Sequence, residues 1–431
     1  MTFVQTTQIS RALELMEGSD AFVFVTGRAG TGKSTLLRHF RDIHPDVPVL
    51  APTGVAALNV EGETIHRFFG FSPSITPRLA KTKGREANEE PLYRELEAII
   101  IDEISMVRAD LLDCVDAFLR AARRDKRPFG GVRIIAIGDL YQLPPVVTTS
   151  EREAFFELYE TAYFFSSDAF KELRRDQDIA FVELDKVFRQ SDEDFIKLLN
   201  GIRDRTITPA GLERINERLA EELATNQDIV LTTTNAAADD INQEHLAFLP
   251  SEEVVFDGNV SKGFPEREVP TDIALRLKQD ARVMCVVNDP AGRFVNGSLG
   301  WVRGFGDRTV TVELDSGRTV EIAEHTWTVY RSVYDAGKGH LEQEKLGSFT
   351  QVPVRLAWAI TIHKSQGKTF DRVIIDLGRG AFAAGQVYVA LSRCRSIEGV
   401  SLIKPVTLWQ IHLDPAIGEF MNGLRQKTHL L

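Results

Sequence analysis

The chain has 431 residues, 43% hydrophobic and 26% charged, with a net charge of −11 from 51 basic and 62 acidic side chains. That is the make-up of an ordinary globular protein of several domains, and it excludes a low-complexity or membrane-embedded chain, since no apolar run approaches the length of a span. Cys114, Cys285 and Cys394 lie 171 and 109 residues apart with no C-x-x-C pair, which argues against a zinc site or a disulfide framework and suits a reducing cytoplasm.

Met1–Ser10 carries no basic residue ahead of an apolar core, so no signal peptide is expected. The apolar run Ala21–Val25 reads as a buried strand, and Leu36-Leu37-Arg38-His39-Phe40 as a helix. Between them stands Gly27-Arg28-Ala29-Gly30-Thr31-Gly32-Lys33-Ser34-Thr35, which fits G-x-x-x-x-G-K-[ST] in the strand–loop–helix setting that this motif requires. Glycines let the backbone wrap closely, so that the amides of Gly27, Ala29, Gly30, Thr31 and Gly32 face a phosphate chain. Lys33 should reach the β- and γ-phosphates, Ser34 should ligate Mg²⁺, and Thr35 continues the helix start, whose partial positive charge adds to the site. The chain is therefore expected to bind a nucleoside triphosphate.

The next strand, Val47–Ala51, leads into Pro52-Thr53-Gly54-Val55-Ala56-Ala57, and Thr64-Ile65-His66 follows shortly after. Hydroxyls, amides at helix starts and histidine can grip a sugar–phosphate backbone without reading its sequence. A satisfied structural histidine is the plainer reading of His66. Residues 71–93 form a polar insertion marked by Pro73, Pro77, Gly84 and Pro91. Arg78, Lys81, Lys83 and Arg85 fall within eight of its residues without an acid among them, which reads equally as a solvated face. Ala98–Ile101 is a hydrophobic strand that ends in Asp102 and Glu103. Asp102 is placed to hold Mg²⁺ and Glu103 to orient and deprotonate an attacking water. After the helical pattern Leu111–Ala122, a further strand, Val132–Ile137, exits into Gly138-Asp139-Leu140-Tyr141-Gln142-Leu143-Pro144-Pro145, where Gln142 can contact the γ-phosphate or the water. Alternating buried strands and helices predict a doubly wound α/β lobe.

Phe181–Leu184, Ile229–Thr232, Arg355–Ile360, Val373–Leu377 and Val400–Ile403 read as the strands of a second α/β lobe. Within it, residues 271–350 change pattern to short strands, Ala281–Val287, Gly300–Phe305, Thr309–Leu314 and Thr319–Ile322, with a hairpin turn at Asp315-Ser316-Gly317. Arg189 and Arg393 carry guanidinium groups suited to a transferring phosphoryl group, although a surface ion pair is the plainer reading of each. Thr361-Ile362-His363-Lys364-Ser365-Gln366-Gly367 follows the Arg355–Ile360 run. Arg355, Lys364, Lys368 and Arg372 make this the second basic stretch of an acidic chain, with Asp371 as its one acid.

The order of these motifs resembles superfamily-1B DNA helicases of the Pif type (petite integration frequency), with RecD-like and Dda-like relatives. The matching strings are VTGRAGTGKSTLL, APTGVAALNVEGETIHRFFGF, IIIDEISMV, GDLYQLPPV, VFRQSDEDFIKLLNGIR, WAITIHKSQGKTFD and VYVALSRCRS, spanning about residues 22 to 400. The resemblance implies two RecA-like lobes in tandem. Residues 1–70 and 94–180 would form the first, around a wedge at 71–93; residues 181–270 and 351–431 would form the second, around a small β-barrel at 271–350. Position by position, it implies that Lys33, Ser34, Asp102, Glu103, Gln142, Arg189 and Arg393, with Gly367, form a site for ATP and Mg²⁺ between the lobes. It places Pro52, Thr53, Gly54, His66, His363, Lys364 and Ser365 on single-stranded DNA. It further implies 5′→3′ movement, unwinding of duplex or forked DNA, and action as a monomer.

Three departures stand out. The adenine-reading glutamine of the family fits poorly here: Gln5 and Gln8 both occur, and Gln8 is the choice. No aromatic lies between Phe71 and Tyr93 to serve as a base-stacking pin, and only about 30 residues follow the Arg393 segment, so no accessory C-terminal domain is expected. A single-strand translocase with weak unwinding, an ATP-gated DNA clamp and a phosphotransferase are the alternative readings.

Overall fold

The computed structural model describes residues 6–428 apart from Gln177, Ser191, 221–227, 266–268, 336–339, Arg379, Ala381 and Phe382. Two units are present: Met1–Phe188 with Val329–Lys345 and Asp414–Leu431, and Arg189–Thr328 with Leu346–Leu413. In the first unit lie β1 (Phe22–Gly27), β2 (Val49–Ala51), β3 (Glu63–Thr64), β4 (Ala98–Ile101), β5 (Arg133–Ile137) and β6 (Ile179–Leu184). They form one parallel sheet in the order β3-β2-β4-β5-β1-β6. β1, β2 and β4 are buried along their whole length, which is why each reads as an unbroken apolar run rather than an alternation. The helices of this part are α1 (Thr7–Glu17), α2 (Lys33–Ile43), α3 (Gly54–Asn59), α4 (Ile65–Phe68), α5 (Pro77–Glu86), α6 (Pro91–Arg94), α7 (Ala109–Arg123), α8 (Arg152–Leu158) and α9 (Asp168–Asp176). Leu36, Leu37 and Phe40 of α2 share a core with Val23 and Val25 of β1, which fixes the helix start against the strand end.

The 71–93 insertion is helical. Thr76 caps α5 by accepting from the Leu79 amide at 3.4 Å, and Pro77 occupies the first turn, where its missing N–H costs nothing. The helix lies so close to α7 that a Cβ on Gly84 would sit 2.3 Å from the Phe118 carbonyl oxygen and 3.0 Å from the Ala121 methyl. Gly84→Val is therefore expected to push α5 off α7 at a cost of about 1–3 kcal/mol. Calorimetry would read this as a lowered first-unit transition; an unchanged transition would mean the contact yields freely. Phe71 and Tyr93 are buried beneath this helix with Phe69 and Phe118, and the Tyr93 hydroxyl donates to the Phe68 carbonyl at 2.8 Å.

Two expected boundaries move. Phe181–Leu184 does not join the second lobe: β6 pairs in parallel with β1, Phe22 opposite Ile179 through Gly27 opposite Leu184. Its burial alternates because it is an edge strand, and an apolar run cannot say which sheet it will edge. The C-terminal stretch also belongs to the first unit: the Phe420 ring stacks on Phe165 at 4.3 Å, and Arg425 forms a two-bond ion pair with Glu183.

The second unit contains β7 (Ile229–Thr232), β8 (Val254–Asp257), β9 (Asn259–Val260), β10 (Ala274–Leu277), β11 (Arg282–Cys285), β12 (Leu299–Phe305), β13 (Thr309–Leu314) and β14 (Thr319–Ala323). The long strands β15 (His325–Asp335) and β16 (His340–Gln351) are shared out between the two units, and β17 (Val354–Leu356), β18 (Ala359–Thr361), β19 (Val373–Asp376) and β20 (Val400–Leu402) complete the series. A parallel sheet runs β18-β7-β19-β20 and an antiparallel one β14-β13-β12-β11-β17. The Arg355–Ile360 run is therefore not one strand: its first half closes the antiparallel sheet against β11, and its second half edges the parallel one against β7. The 271–350 insertion accordingly extends to Leu356. The Asp315–Gly317 turn is present, with Gly317 at φ +79°. The helices α10 (Glu193–Arg203), α11 (Pro209–Asn216), α12 (Asn235–Phe248) and α13 (Gln386–Leu391) belong to this unit, and α14 (Pro415–Thr428) to the first.

Candidate functional site

Parallel strands deliver all their carboxyl ends to one rim, and β4, β5 and β1 are consecutive neighbours there. The three expected nucleotide motifs are the three exits of these strands. At the end of β1 the chain turns through Gly32 at φ +89°, a left-handed conformation that favours glycine, and α2 begins at Lys33 with no side chain capping it. An uncapped helix start leaves the pole of α2 to an anion. The Thr31 hydroxyl donates to the Arg28 carbonyl at 2.9 Å and ties the loop, while Ser34 and Thr35 are exposed at the helix start and Ala29 is buried. Lys33 Nζ donates to the carbonyls of Gly27 (2.6 Å) and Arg28 (3.0 Å). Charged phosphate oxygens are stronger acceptors than these carbonyls, so the ammonium gains by exchanging them.

β4 ends in Asp102, whose backbone N–H donates to Leu50 of β2 at 2.8 Å. Its carboxyl is buried, and burial and the neighbouring Glu103 carboxylate push it up to about 7, against the pull of Lys33. A buried carboxylate held this way is stabilised by a cation, and one carboxylate plus a hydroxyl is the sparse protein share typical of magnesium on a triphosphate. Among the described residues there is no cluster of three or more His, Cys, Asp or Glu side chains that would make an all-protein metal cage. Asp102 and Ser34 thus fit a magnesium ion that arrives with its nucleotide. Glu103 adopts φ 50° and ψ 43°, a left-handed conformation uncommon for a residue with a Cβ, which costs on the order of 1–3 kcal/mol. β5 exits through Gly138, where a Cβ would sit 3.0 Å from the Ile104 amide beside that turn. The buried Gln142 amide donates to Asp139 at 3.2 Å.

Gln8, on α1, donates to the Asp185 carboxylate at 2.8 Å, which anchors it beside the exit of β6; Gln5 lies outside the described residues. Phe188 was missed by sequence reasoning. Its N–H donates to the Gly30 carbonyl at 2.8 Å, and its half-exposed ring lies 3.6 Å from where a Gly32 Cβ would be, making an aromatic wall beside the phosphate loop. Its only sequence signal was its place directly before Arg189.

The same rim continues onto β2 and β3, which carry the first-unit DNA candidates. Pro52 and Thr53 follow β2; the Thr53 hydroxyl caps α3 by accepting from Ala56, Thr53 is exposed, and Gly54 is buried. Thr64 caps α4 in the same way, and His66 lies on that helix, lowered by burial against the opposing field of Asp110.

In the second unit, β18 exits into 361–367. The Thr361 hydroxyl accepts from the Lys364 amide at 3.2 Å; His363 and Lys364 are partly exposed, both lowered by burial. Ser365 departs from expectation: it is fully buried and its hydroxyl donates to the Ile362 carbonyl at 2.7 Å, so it braces the turn rather than offering a surface hydroxyl. Gly367 is exposed at φ +75°. Arg189 and Arg393 are brought together, since Arg189 Nη1 donates to the Ser392 carbonyl at 3.2 Å. Neither is a surface ion pair. Arg393 is 1% exposed, with Nε on the Val389 carbonyl at 2.9 Å and Nη1 near the carbonyls of Ser365 and Lys368 at 3.4 Å. No helix among the described residues is long and apolar enough to cross a membrane.

A family profile described as PIF1-like helicase matches residues 5–211. The ATP-dependent DNA helicase Pif1 of Bdellovibrio bacteriovorus is 35% identical over 406 residues, covering 91% of this chain and 86% of that protein. The mouse ATP-dependent DNA helicase PIF1 is 36% identical over 94% of this chain, which spans only 60% of the mouse protein. The crystal structure of Bacteroides sp Pif1 in complex with ADP-AlF4 superposes with a TM-score of 0.87 at 36% identity, covering 99% of this chain and 98% of that one.

Proposed function

Because the chain belongs to the PIF1-like helicase family, we propose that it is an ATP-dependent DNA helicase that moves 5′→3′ on single-stranded DNA and opens duplex or forked DNA. The observation that carries this reading is the shared rim of the first sheet. The nucleotide motifs on β1, β4 and β5 stand directly beside the DNA candidates on β2 and β3. Asp102 also hydrogen-bonds to β2 through its backbone, its N–H donating to Leu50 at 2.8 Å.

In this reading Lys33 and the phosphate-loop amides hold the triphosphate, and Asp102 and Ser34 hold Mg²⁺. The ion would supply positive charge against the charge that develops on the phosphates. Glu103 accepts the proton of the attacking water, and Gln142 orients that water. Arg189 and Arg393 supply the positive charge of the transition state from the second unit. Thr53, His66, His363 and Lys364 take the sugar–phosphate backbone, with Pro52 and Gly54 shaping the first loop. Contacts of this type carry no sequence information, so the strand can slide while the grip alternates.

The experiment is unwinding of two partial duplexes, one with a 5′ and one with a 3′ single-stranded tail, in Mg²⁺-ATP with Lys33→Ala as control. Opening of only the 5′-tailed substrate, lost in the control, is the expected result; opening of only the 3′-tailed one overturns the polarity. Burial of Phe71 and Tyr93 favours a second reading, a translocase with weak unwinding, because neither ring can act as a pin at the junction. DNA-stimulated hydrolysis with neither substrate opened would select it.

A further inference from the structure

Arg355 lies on β17 between Val354 and Leu356, whose side chains enter the apolar core of the antiparallel sheet. Alternation along a strand turns Arg355 to the other face. There it stands partly exposed beside Lys364 and Lys368, themselves partly exposed, from the segment that follows β18. Its Nε is out of reach of solvent and has no hydrogen-bond acceptor. Asp239 on α12 and Asp272 ahead of β10 face the cluster, but among the described residues neither closes an ion pair with Arg355. Lys368 donates to the side-chain oxygen of Asn296, in the loop between β11 and β12, and a Cβ on Gly297 of that loop would sit 3.6 Å from the Lys368 Cβ; the Cys285 thiol also faces it. Burial, and then the neighbouring guanidinium, lower both lysines, Lys368 to about 8.

Like charges gathered where little water reaches between them are costly, and a guanidinium with an orphaned buried N–H adds to the cost. Nothing in the packing requires a cation here, since the buried face of β17 is already filled by Val354 and Leu356. An anion brought to the cluster satisfies all three groups at once, and a guanidinium matches phosphate oxygens in a fork.

We propose that Arg355, Lys364 and Lys368 form one phosphodiester-binding cluster on the second unit, with Arg355 as its anchor, gripping the backbone of single-stranded DNA. This rests on the helicase reading and adds two residues to it, Arg355 and Lys368. It also gives the Asn296–Gly297 loop a task, which is to hold the Lys368 ammonium at the cluster until the strand arrives.

The test uses Arg355→Gln, Arg355→Lys and Lys364→Gln in the full chain, with oligo-dT binding followed by anisotropy across a salt series. Arg355→Gln is expected to weaken binding on the order of tenfold, the effect of losing one charge-assisted hydrogen bond. The slope of log affinity against log salt should fall by about 0.7, one single-strand phosphate contact. Arg355→Lys should restore the slope but only part of the affinity. The free Arg355→Gln protein should melt at the same or a higher temperature than the parent, because a repulsion has been removed. Weaker binding together with a lower melting temperature would make Arg355 structural and overturn the inference. So would unchanged dT affinity and slope, including the case in which Arg355→Gln alters only inhibition by pyrophosphate. If Lys364→Gln responds and Arg355→Gln does not, this inference fails and the helicase reading stands. A parent protein that hydrolyses ATP without binding dT would sink the helicase reading itself.

Discussion

Glu103→Gln is expected to lower DNA-stimulated ATP hydrolysis by about 10²–10⁴-fold while leaving ATP binding within a few-fold of the parent. The substitution keeps the size and hydrogen-bonding reach of the side chain and removes only the base. The left-handed turn that aims residue 103 is held by its surroundings, with the Asp102 amide on β2 and Gly138 packed against Ile104, so the glutamine should occupy the same place. Loss of the Glu103 charge also removes one of the two influences that raise Asp102, so Asp102 ionises more readily and the metal grip is kept. The variant should therefore hold ATP and single-stranded DNA together. Single-turnover hydrolysis with a parallel nucleotide-binding titration separates the two effects. Unchanged hydrolysis would assign the base elsewhere, and lost ATP binding would make Glu103 a structural residue of the loop.

Arg393→Ala is expected to lower kcat by about 10³–10⁵-fold, the effect of an arginine that stabilises a transferring phosphoryl group. The structure sets a rival explanation beside it. Arg393 is buried and donates to Val389, and it faces carbonyls of Ser365 and Lys368, so it also ties the end of α13 to the segment that carries His363 and Lys364. Removal takes a donor from each, although the Ser365 carbonyl keeps the Lys368 amide at 3.1 Å and the Val389 carbonyl keeps the Ser392 hydroxyl at 2.9 Å, so the cost is roughly 1–3 kcal/mol in all. The two roles separate cleanly by readout. All four tryptophans, Trp301, Trp327, Trp358 and Trp409, belong to the second unit, so their fluorescence reports its folding alone. A catalytic arginine gives lost kcat with native tryptophan emission at the assay temperature and little change in the KM for ATP. A bracing arginine gives shifted emission and weakened DNA binding, with kcat falling only in proportion.

The chemistry of the site was legible because it is written in short, contiguous strings. A phosphate loop needs its glycines, lysine and hydroxyl within nine positions, and the Asp102–Glu103 pair needs only a hydrophobic strand before it, so local sequence is enough. The parallel strands were equally plain, since burial on both faces leaves unbroken apolar runs. The same property hid their partners. Phe181–Leu184 and Arg355–Ile360 are apolar runs like the others, and nothing in their composition says that the first edges the β1 sheet or that the second is divided between two sheets.

By itself, the sequence pointed to a nucleoside triphosphate site, set its motifs in the order of a Pif-type helicase, and named the side chains proposed to carry charge to the phosphates. Those conclusions rest on residue type and spacing along the chain, which folding does not alter. Only the tertiary structure decided that the expected nucleotide and DNA motifs share one rim, that Ser365 and Arg393 are buried, and that Arg355 stands with Lys364 and Lys368 and, among the described residues, closes no ion pair. The physical reason is that strand order, burial and the meeting of like charges are set by contacts between residues far apart in sequence. A one-residue change of strand face leaves Arg355 partly exposed while both its neighbours are core.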